Sequence, residues 1–208
     1  MLDWLAAYAE AGGHLVLGPR TGYADHEGQA RHETAPPRLS AAAGAWYGEF
    51  SNLTQDLPVR PAPGSPLELP PGTTATRWLE GLTPTDATVP AEYDHPHFGR
   101  WPAVTTRAHG AGRVTCVGTV PGRALARALA VWLAPAPVSG WHGLPVTVTA
   151  TTGTAPDGRR VHVVHNWSGQ PAEAQAKVAL TDVLTGAAVP AGGPVALGAF
   201  DVRVFVVS

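Results

Sequence analysis

The sequence predicts an α/β domain followed by a small antiparallel β-sandwich. Three observations predict it: a helix that stops at a double glycine and feeds a short apolar strand near the N-terminus, a strand-then-helix run around residues 113–133, and a change of period to two from residue 146 onward.

The first helix rests on Leu2, Leu5 and Ala9 at near-helical spacing, with Trp4 and Tyr8 one turn apart beside them. Gly12 and Gly13 stop it, because a glycine past the last turn can take the left-handed conformation that closes a helix. His14 to Leu17 then reads as a strand. A helix feeding a parallel strand is half of a βαβ unit, so the pattern implies an earlier strand supplied from elsewhere. From Thr21 to Pro70 the pattern is irregular, with WYGEFSNLT at 46–54 and the proline-rich PVRPAPGSPLELPPG at 58–72, which predicts long loops with short strands. Strands are expected at Thr74–Leu79, Val89–Tyr93 and Ala103–Arg107. In GAGRVTCVGTVPGRALARALAVWLA, a glycine turn precedes a strand at Arg113–Val117 and a helix from about Pro121, where proline suits the first turn. Leu125, Leu129, Trp132 and Leu133 fall on one face of that helix and should pack on a sheet, leaving Arg123 and Arg127 solvated.

After PAPVSGWHG at 135–143, VTVTA at 146–150 and RVHVVHNW at 160–167 alternate across the GTAPDG turn. Short strands are then expected at Lys177–Leu180, Asp182–Leu184, Val195–Leu197 and Asp201–Val207, the spacing of a sandwich. Two domains follow, 1–137 and 143–208.

Composition excludes several function classes. A formal net charge of −2 and a sequence pI near 6.5 provide no field to draw in nucleic acid or an anionic membrane. Only 14% of residues are charged, so 24 Gly and 21 Pro carry the turns. The single cysteine, Cys116, excludes an internal disulfide framework and a cysteine-rich zinc site. MLDWLAAYAEAGG lacks the basic start of a secretory signal, and Arg127, Pro135 and Pro137 break the longest apolar run. A cytoplasmic protein is the expectation, in which the patterns Asn52-Leu53-Thr54 and Asn166-Trp167-Ser168 carry no glycans.

LAAYAEAGGHLVLGPRTGYAD, WYGEF, RWLEGL, AEYDHPHFGRWPAVTTRAHGAGRVTCVGTV, GRRVHVVHNWS and TDVLTG, taken in order, resemble the last two domains of glycoside hydrolase family 42 beta-galactosidases. The resemblance implies a middle domain of truncated flavodoxin-like, or class I glutamine-amidotransferase-like, α/β fold that mediates trimerisation, followed by the short β domain. It implies that the catalytic TIM barrel precedes this chain, which then reads as a C-terminal fragment, a split-gene product or a shortened reading frame. A barrel needs roughly 250 residues. A retaining glycosidase also needs two carboxyl groups about 5 to 5.5 Å apart. The family carries both on barrel strands and no residue here matches either, so no catalytic residue, metal or cofactor is assigned.

Other chemistry-bearing residues have plainer readings. Glu92 and Asp94 flank a tyrosine but sit at a strand end before a loop. His95 and His97 form an HxH pair that could hold a metal only with further ligands. Cys116 could be a nucleophile with a histidine such as His109 nearby, yet it lies within a strand, where a buried packing role is expected. Trp46, Trp141 and Trp167 could form a sugar platform. Trp167 alternates with Val161, Val163 and His165, a set expected to face the core between the sheets, and Trp141 is expected to wedge between domains. Tyr23, Trp46 and Phe50 are the candidate binding residues, for an oligomer contact or the rim of a neighbouring barrel's active site.

The leading expectation is therefore a non-catalytic oligomerisation and support fragment of a beta-galactosidase. Its partners would be itself, as a trimer, or a separately encoded barrel, with a galactoside bound in the parent enzyme. A free-standing carbohydrate-binding module and a Cys-dependent amidotransferase-like hydrolase are the alternatives.

Overall fold

The computed structural model describes residues 1–135, 141 and 143–207. The chain forms two compact units, Met1–Leu133 and Ala134–Ser208. Most of the expected linker, 136–143, lies outside the described residues.

In the first unit, α1 (Leu2–Glu10) buries Leu2 and Ala9. It ends where Gly12 turns left-handed at φ +114° and the Gly13 N–H returns to the Tyr8 carbonyl at 2.9 Å. The strand β1 (His14–Leu17) follows. After a long irregular segment come α2 (Ser40–Ala43), β2 (Ala45–Trp46), β3 (Phe50–Asn52) and β4 (Leu57–Pro61). Next are β5 (Thr74–Glu80), β6 (Thr83–Pro84), β7 (Thr88–Tyr93), β8 (Pro102–His109), β9 (Gly112–Val117), β10 (Thr119–Pro121) and α3 (Arg123–Leu133). The main sheet runs β1-β9-β8-β7-β4-β5-β10, with β3 attached to β5 and the short pair β2·β6 separate.

This overturns the α/β, flavodoxin-like expectation. The molecule is mostly β, 41% strand against 13% helix, and the only parallel pair among the described strands is β1·β9. Connection length is the physical reason. Parallel neighbours need a crossover of a dozen or more residues, whereas β8 and β9 are joined by Gly110 and Ala111 alone and must fold back as a hairpin. The helix after β10 is not a crossover between parallel neighbours; it lies on a sheet that is otherwise antiparallel.

That sheet is covered on both faces, and alternate residues of β9 sort between two cores. Val114 and Cys116 pack with Leu2, Ala9, Leu39 and Ala43 from α1 and the α2 region. Val117 packs with Leu79, Tyr93, Leu125 and Leu129, so α3 does lay its leucine side on the sheet. Two glycines permit these approaches. A Cβ at Gly112 would stand 2.2 Å from the Ala9 carbonyl oxygen, and one at Gly122 would stand 2.8 Å from that of Thr74.

The second unit holds β11 (Val148–Thr154), β12 (Arg160–Asn166), β13 (Ala172–Gln175), β14 (Leu180–Asp182), β15 (Ala188–Val189), β16 (Pro194–Leu197) and β17 (Val202–Val207). A five-stranded antiparallel sheet, β11-β12-β17-β14-β15, accompanies the pair β13·β16. Between them lie Val164, Ala174, Leu180, Val195, Leu197 and Phe205, together with Trp141. Trp141 is thus a core residue of its own unit. Its indole N–H reaches Nδ1 of His162 at 3.3 Å, an atom that also lies 2.7 Å from Thr152 Oγ1. Burial holds the His162 imidazole below its ordinary pKa.

The face of β12 that points inward is the opposite of the one expected. His162, Val164 and Asn166 are buried, while Val161, Val163 and His165 are half-buried and Trp167 is exposed. A period of two marks two faces without saying which is inside, and valines occupy both.

Candidate functional site

Tyr23, Trp46 and Phe50 come together. All three line a shallow pocket of about 250 Å³ that Arg31, His32, Glu33 and Tyr47 complete. Phe50 is 49% exposed and Trp46 39%, so the rings form a surface and not an interior cluster. Phe50 stacks on Trp78 of β5 at 4.6 Å between centroids, a consequence of the β3·β5 register that sets Asn52 opposite Trp78 and Phe50 opposite Glu80. Arg20 completes the assembly, its guanidinium 4.4 Å from the Tyr23 ring centroid and 5.6 Å from that of Trp78. Such cation–π contacts are worth about 0.5 to 1 kcal/mol each at exposed sites.

Arg20 holds a backbone φ of +60°, a left-handed conformation costly for a residue with a Cβ. What fixes it is underneath. The Arg20 backbone N–H donates to Glu80 Oε1 at 2.6 Å, and Glu80 is buried. Burial, first of all, raises the Glu80 pKa above the usual carboxylate range, against the lowering effect of that N–H. The Tyr47 hydroxyl and the Trp78 indole N–H both face this carboxylate and modulate its charge. Neither reaches good hydrogen-bond geometry with it. A buried carboxylate therefore supports, from below, the arginine that ties the surface rings together.

Elsewhere the tempting residues are spent on structure. His95 Nδ1 accepts the backbone N–H groups of His97 and Phe98, both at 3.1 Å, and so caps the short 3₁₀ turn Phe98–Arg100. Glu92 and Asp94 lie 3.3 and 3.7 Å from the Arg60 guanidinium. Among the described residues no group of three or more His, Cys, Asp or Glu is placed to hold a metal ion. Cys116 is buried and its thiol is pushed up to about 12 by burial. His109 is four residues along β8 from Thr105, the cross-strand partner of Cys116, so roughly 13 Å of strand separates the two positions. The thiol-nucleophile reading fails on both requirements, exposure and a histidine in reach. Of the three tryptophans that could form a sugar platform, Trp141 is core, while Trp46 belongs to the first unit and Trp167 to the second.

A groove of about 730 Å³ lies between α3 and the segment Pro66–Pro70. It is lined by Leu67, Ala128, Val131 and Trp132, with Arg123, Arg127 and Glu68 at its margin, and lacks convergent polar groups. Arg20, Trp78 and Glu80 are the members of the site that the sequence reading missed. Trp78 and Glu80 sit inside RWLEGL, and a strand carrying Trp and Glu two apart, on one face, was the available signal.

Comparison with known proteins supplies the family. Residues 1–136 match the model of the beta-galactosidase trimerisation domain. Beta-galactosidase Bga of Halorubrum lacusprofundi is 34% identical over 139 residues, which are 62% of this chain and 20% of that protein. BgaH of Haloferax lucentense is 32% identical over 126 residues, 60% of this chain and 18% of that protein. The chain thus spans about a fifth of the length of the curated relatives it matches. Among solved structures, the beta-galactosidase of Bacillus circulans sp. alkalophilus superposes with a TM-score of 0.85 at 17% identity, over 100% of this chain and 31% of that one. That of the Antarctic haloarchaeon Halorubrum lacusprofundi does so with a TM-score of 0.74 at 28% identity, over 99% of this chain and 29% of that one. With the domain model matching well over half of its 208 residues, the chain belongs to the beta-galactosidase trimerisation-domain family, found in glycoside hydrolase family 42.

Proposed function

We propose that this chain serves self-association and support in a family 42 beta-galactosidase and carries no hydrolytic chemistry of its own. The observation that carries the reading is the exposed arginine–aromatic surface of Arg20, Tyr23, Trp46, Phe50 and Trp78, set in the domain that the family model matches. Aromatic residues and arginine are the types enriched at protein contacts. The partner is another copy of the chain or a catalytic barrel, on the same or a separate polypeptide. Strand β1 adds a second route, since it lies at the margin of the sheet with β9 as its ladder partner, and a sheet margin is a template for further pairing.

The two buried carboxylates support the absence of hydrolysis. Glu80 is tied to Arg20, and Asp182 accepts the Leu184 and Thr185 N–H groups at 2.9 Å, so each is committed to holding a backbone turn. Among the described residues no helix is long and apolar enough to cross a membrane. Sedimentation of the purified chain, with and without an added family 42 barrel polypeptide, tests the proposal. Self-association or barrel binding is expected, weakened by Phe50→Ala, with lactose and chromogenic galactosides left intact by the chain alone. A strict monomer that ignores the barrel, or clean turnover by the chain alone, would overturn it.

A further inference from the structure

The second unit presents two aromatic rings that its core does not use. Trp167, at the end of β12, is 64% exposed, and Phe200, in the turn before β17, is 72% exposed. Neither is loosely attached. The Trp167 indole N–H donates to Thr149 Oγ1 at 2.8 Å, and one ring face stacks on His165 at 5.0 Å between centroids and 13° between planes. The other face of the indole is left to solvent. Phe200 holds φ +51°, a left-handed conformation that is a clear outlier for a bulky side chain. Its N–H donates to the Ser168 carbonyl at 2.8 Å, which puts its turn beside the residue that follows Trp167.

A buried amide locks the two turns together. Asn166 donates through Nδ2 to the carbonyls of Gln170 and Gly198, both at 2.7 Å, and accepts the Ser168 N–H at 3.1 Å. Its own N–H donates to the Asp201 carbonyl at 2.9 Å. An asparagine so fully used, beneath a strained phenylalanine and a fixed tryptophan, is structure invested in displaying rings to solvent.

Hydroxyl and amide groups stand around the rings, beside the exposed Val146 and Val202. Thr147, Thr149, Gly169, Gln170, Gly198 and Ala199 are exposed there. The nearby carboxylate of Asp201 is already paired with Arg203 at 3.0 Å and with the Gly198 N–H. We infer that Trp167 and Phe200 form a binding site for neutral pyranosides: the C–H face of a sugar ring lies against the open indole face, and Ser168 and Gln170 offer hydrogen bonds at its edge. Hydroxyls and amides around isolated, immobile rings suit a sugar, which is apolar on its faces and polar all round its rim.

Native gel electrophoresis of the full chain through soluble galactan, with hydroxyethylcellulose in a parallel gel, tests the site. Retardation by at least one of the two is expected. Trp167→Ala should weaken it roughly tenfold or more, the loss typical of truncating a dominant aromatic contact. Phe200→Ala should weaken it less, Trp167→Phe should keep part of it, and Trp4→Ala, on α1, should leave it unchanged. Circular dichroism and the melting curve establish that each variant folds. Migration indifferent to both polymers would overturn the inference, as would retardation that Trp167→Ala does not alter. So would a Trp167→Ala chain that sediments as a smaller species while its retardation is kept, since the rings would then be a protein contact.

Discussion

In the first unit the exposed rings are held by other side chains, with Arg20 between Tyr23 and Trp78, and Phe50 laid on Trp78. In the second, Trp167 is held singly by Thr149 and His165, and Phe200 stands on a turn tied by backbone carbonyls and one buried asparagine. The first arrangement is a connected surface whose members support one another sideways, and so suits a broad contact. The second is a pair of separate rings supported from below, each leaving a face open, and so suits a small ligand. Removing a single residue should therefore spread through the first surface but stay local in the second.

The largest effect is expected where both faces of the first unit's sheet depend on packing. Leu125, on the inner face of α3, is wholly buried. Leu125→Ala should cost about 2 to 5 kcal/mol, read as a fall in the denaturant midpoint and as lost hydrogen-exchange protection in β5 and β10. A loss below about 1 kcal/mol would mean that α3 contributes little to that core. Asn166→Ala comes next. It strips the Gln170 and Gly198 carbonyls of their donor and should cost about 2 to 3 kcal/mol. The comparison sharpens here, because Trp167 should lose its fixed orientation, seen as a drop in its fluorescence anisotropy, while Phe50 and Trp78 remain stacked.

Arg20 separates stacking from strain. Arg20→Ala keeps the costly φ and loses both ring contacts, so a loss of about 1 kcal/mol is expected. Arg20→Gly loses the same contacts but relaxes the backbone by about 1 kcal/mol, so it should sit near the wild-type stability. Both variants should weaken self-association equally, since both remove the guanidinium. Equal stability of the two variants would show that the left-handed conformation is not strained.

Much of this was legible in the sequence, for reasons that also mark where legibility stops. The helix stop at Gly12 and Gly13, the leucine face of α3 and the hairpin at 150–160 are local, each set by spacing and by glycine chemistry. Fold class is not local in this way: one helix feeding one parallel strand says nothing of the rest of the sheet, where the two-residue connection between β8 and β9 forces an antiparallel pair. Tyr23, Trp46 and Phe50 stand out by residue type and by their place in the long irregular segment. Arg20 and Glu80 do not, because what joins them is a backbone N–H reaching 60 positions along the chain, which no local pattern encodes. The inverted faces of β12 teach the same lesson: with Val161 and Val163 on one side and Val164 on the other, Trp141, Leu180 and Leu197 decide which side is inside, and all three are distant in sequence or in another strand.

The smallest expected effect lies in the support beneath the first surface and is read as a pH dependence. Glu80 has an ordinary carboxyl value of 4.5 and is raised above it in the folded chain, chiefly by burial. The folded state therefore holds the Glu80 proton more tightly than the unfolded state does. Stability from this group is complete below about 4.5 and declines as pH rises through the raised folded value. Where it is ionised, the buried carboxylate is a cost that the fold carries, offset by the Arg20 N–H. Glu80→Gln removes the proton and keeps an oxygen to accept that N–H, so its melting temperature should exceed the wild type's at pH 7. The gap should close as the pH is lowered toward 4. Were the gap constant across that range, the effect would come from packing and not from charge, and Glu80 would be an ordinary buried acceptor beneath Arg20.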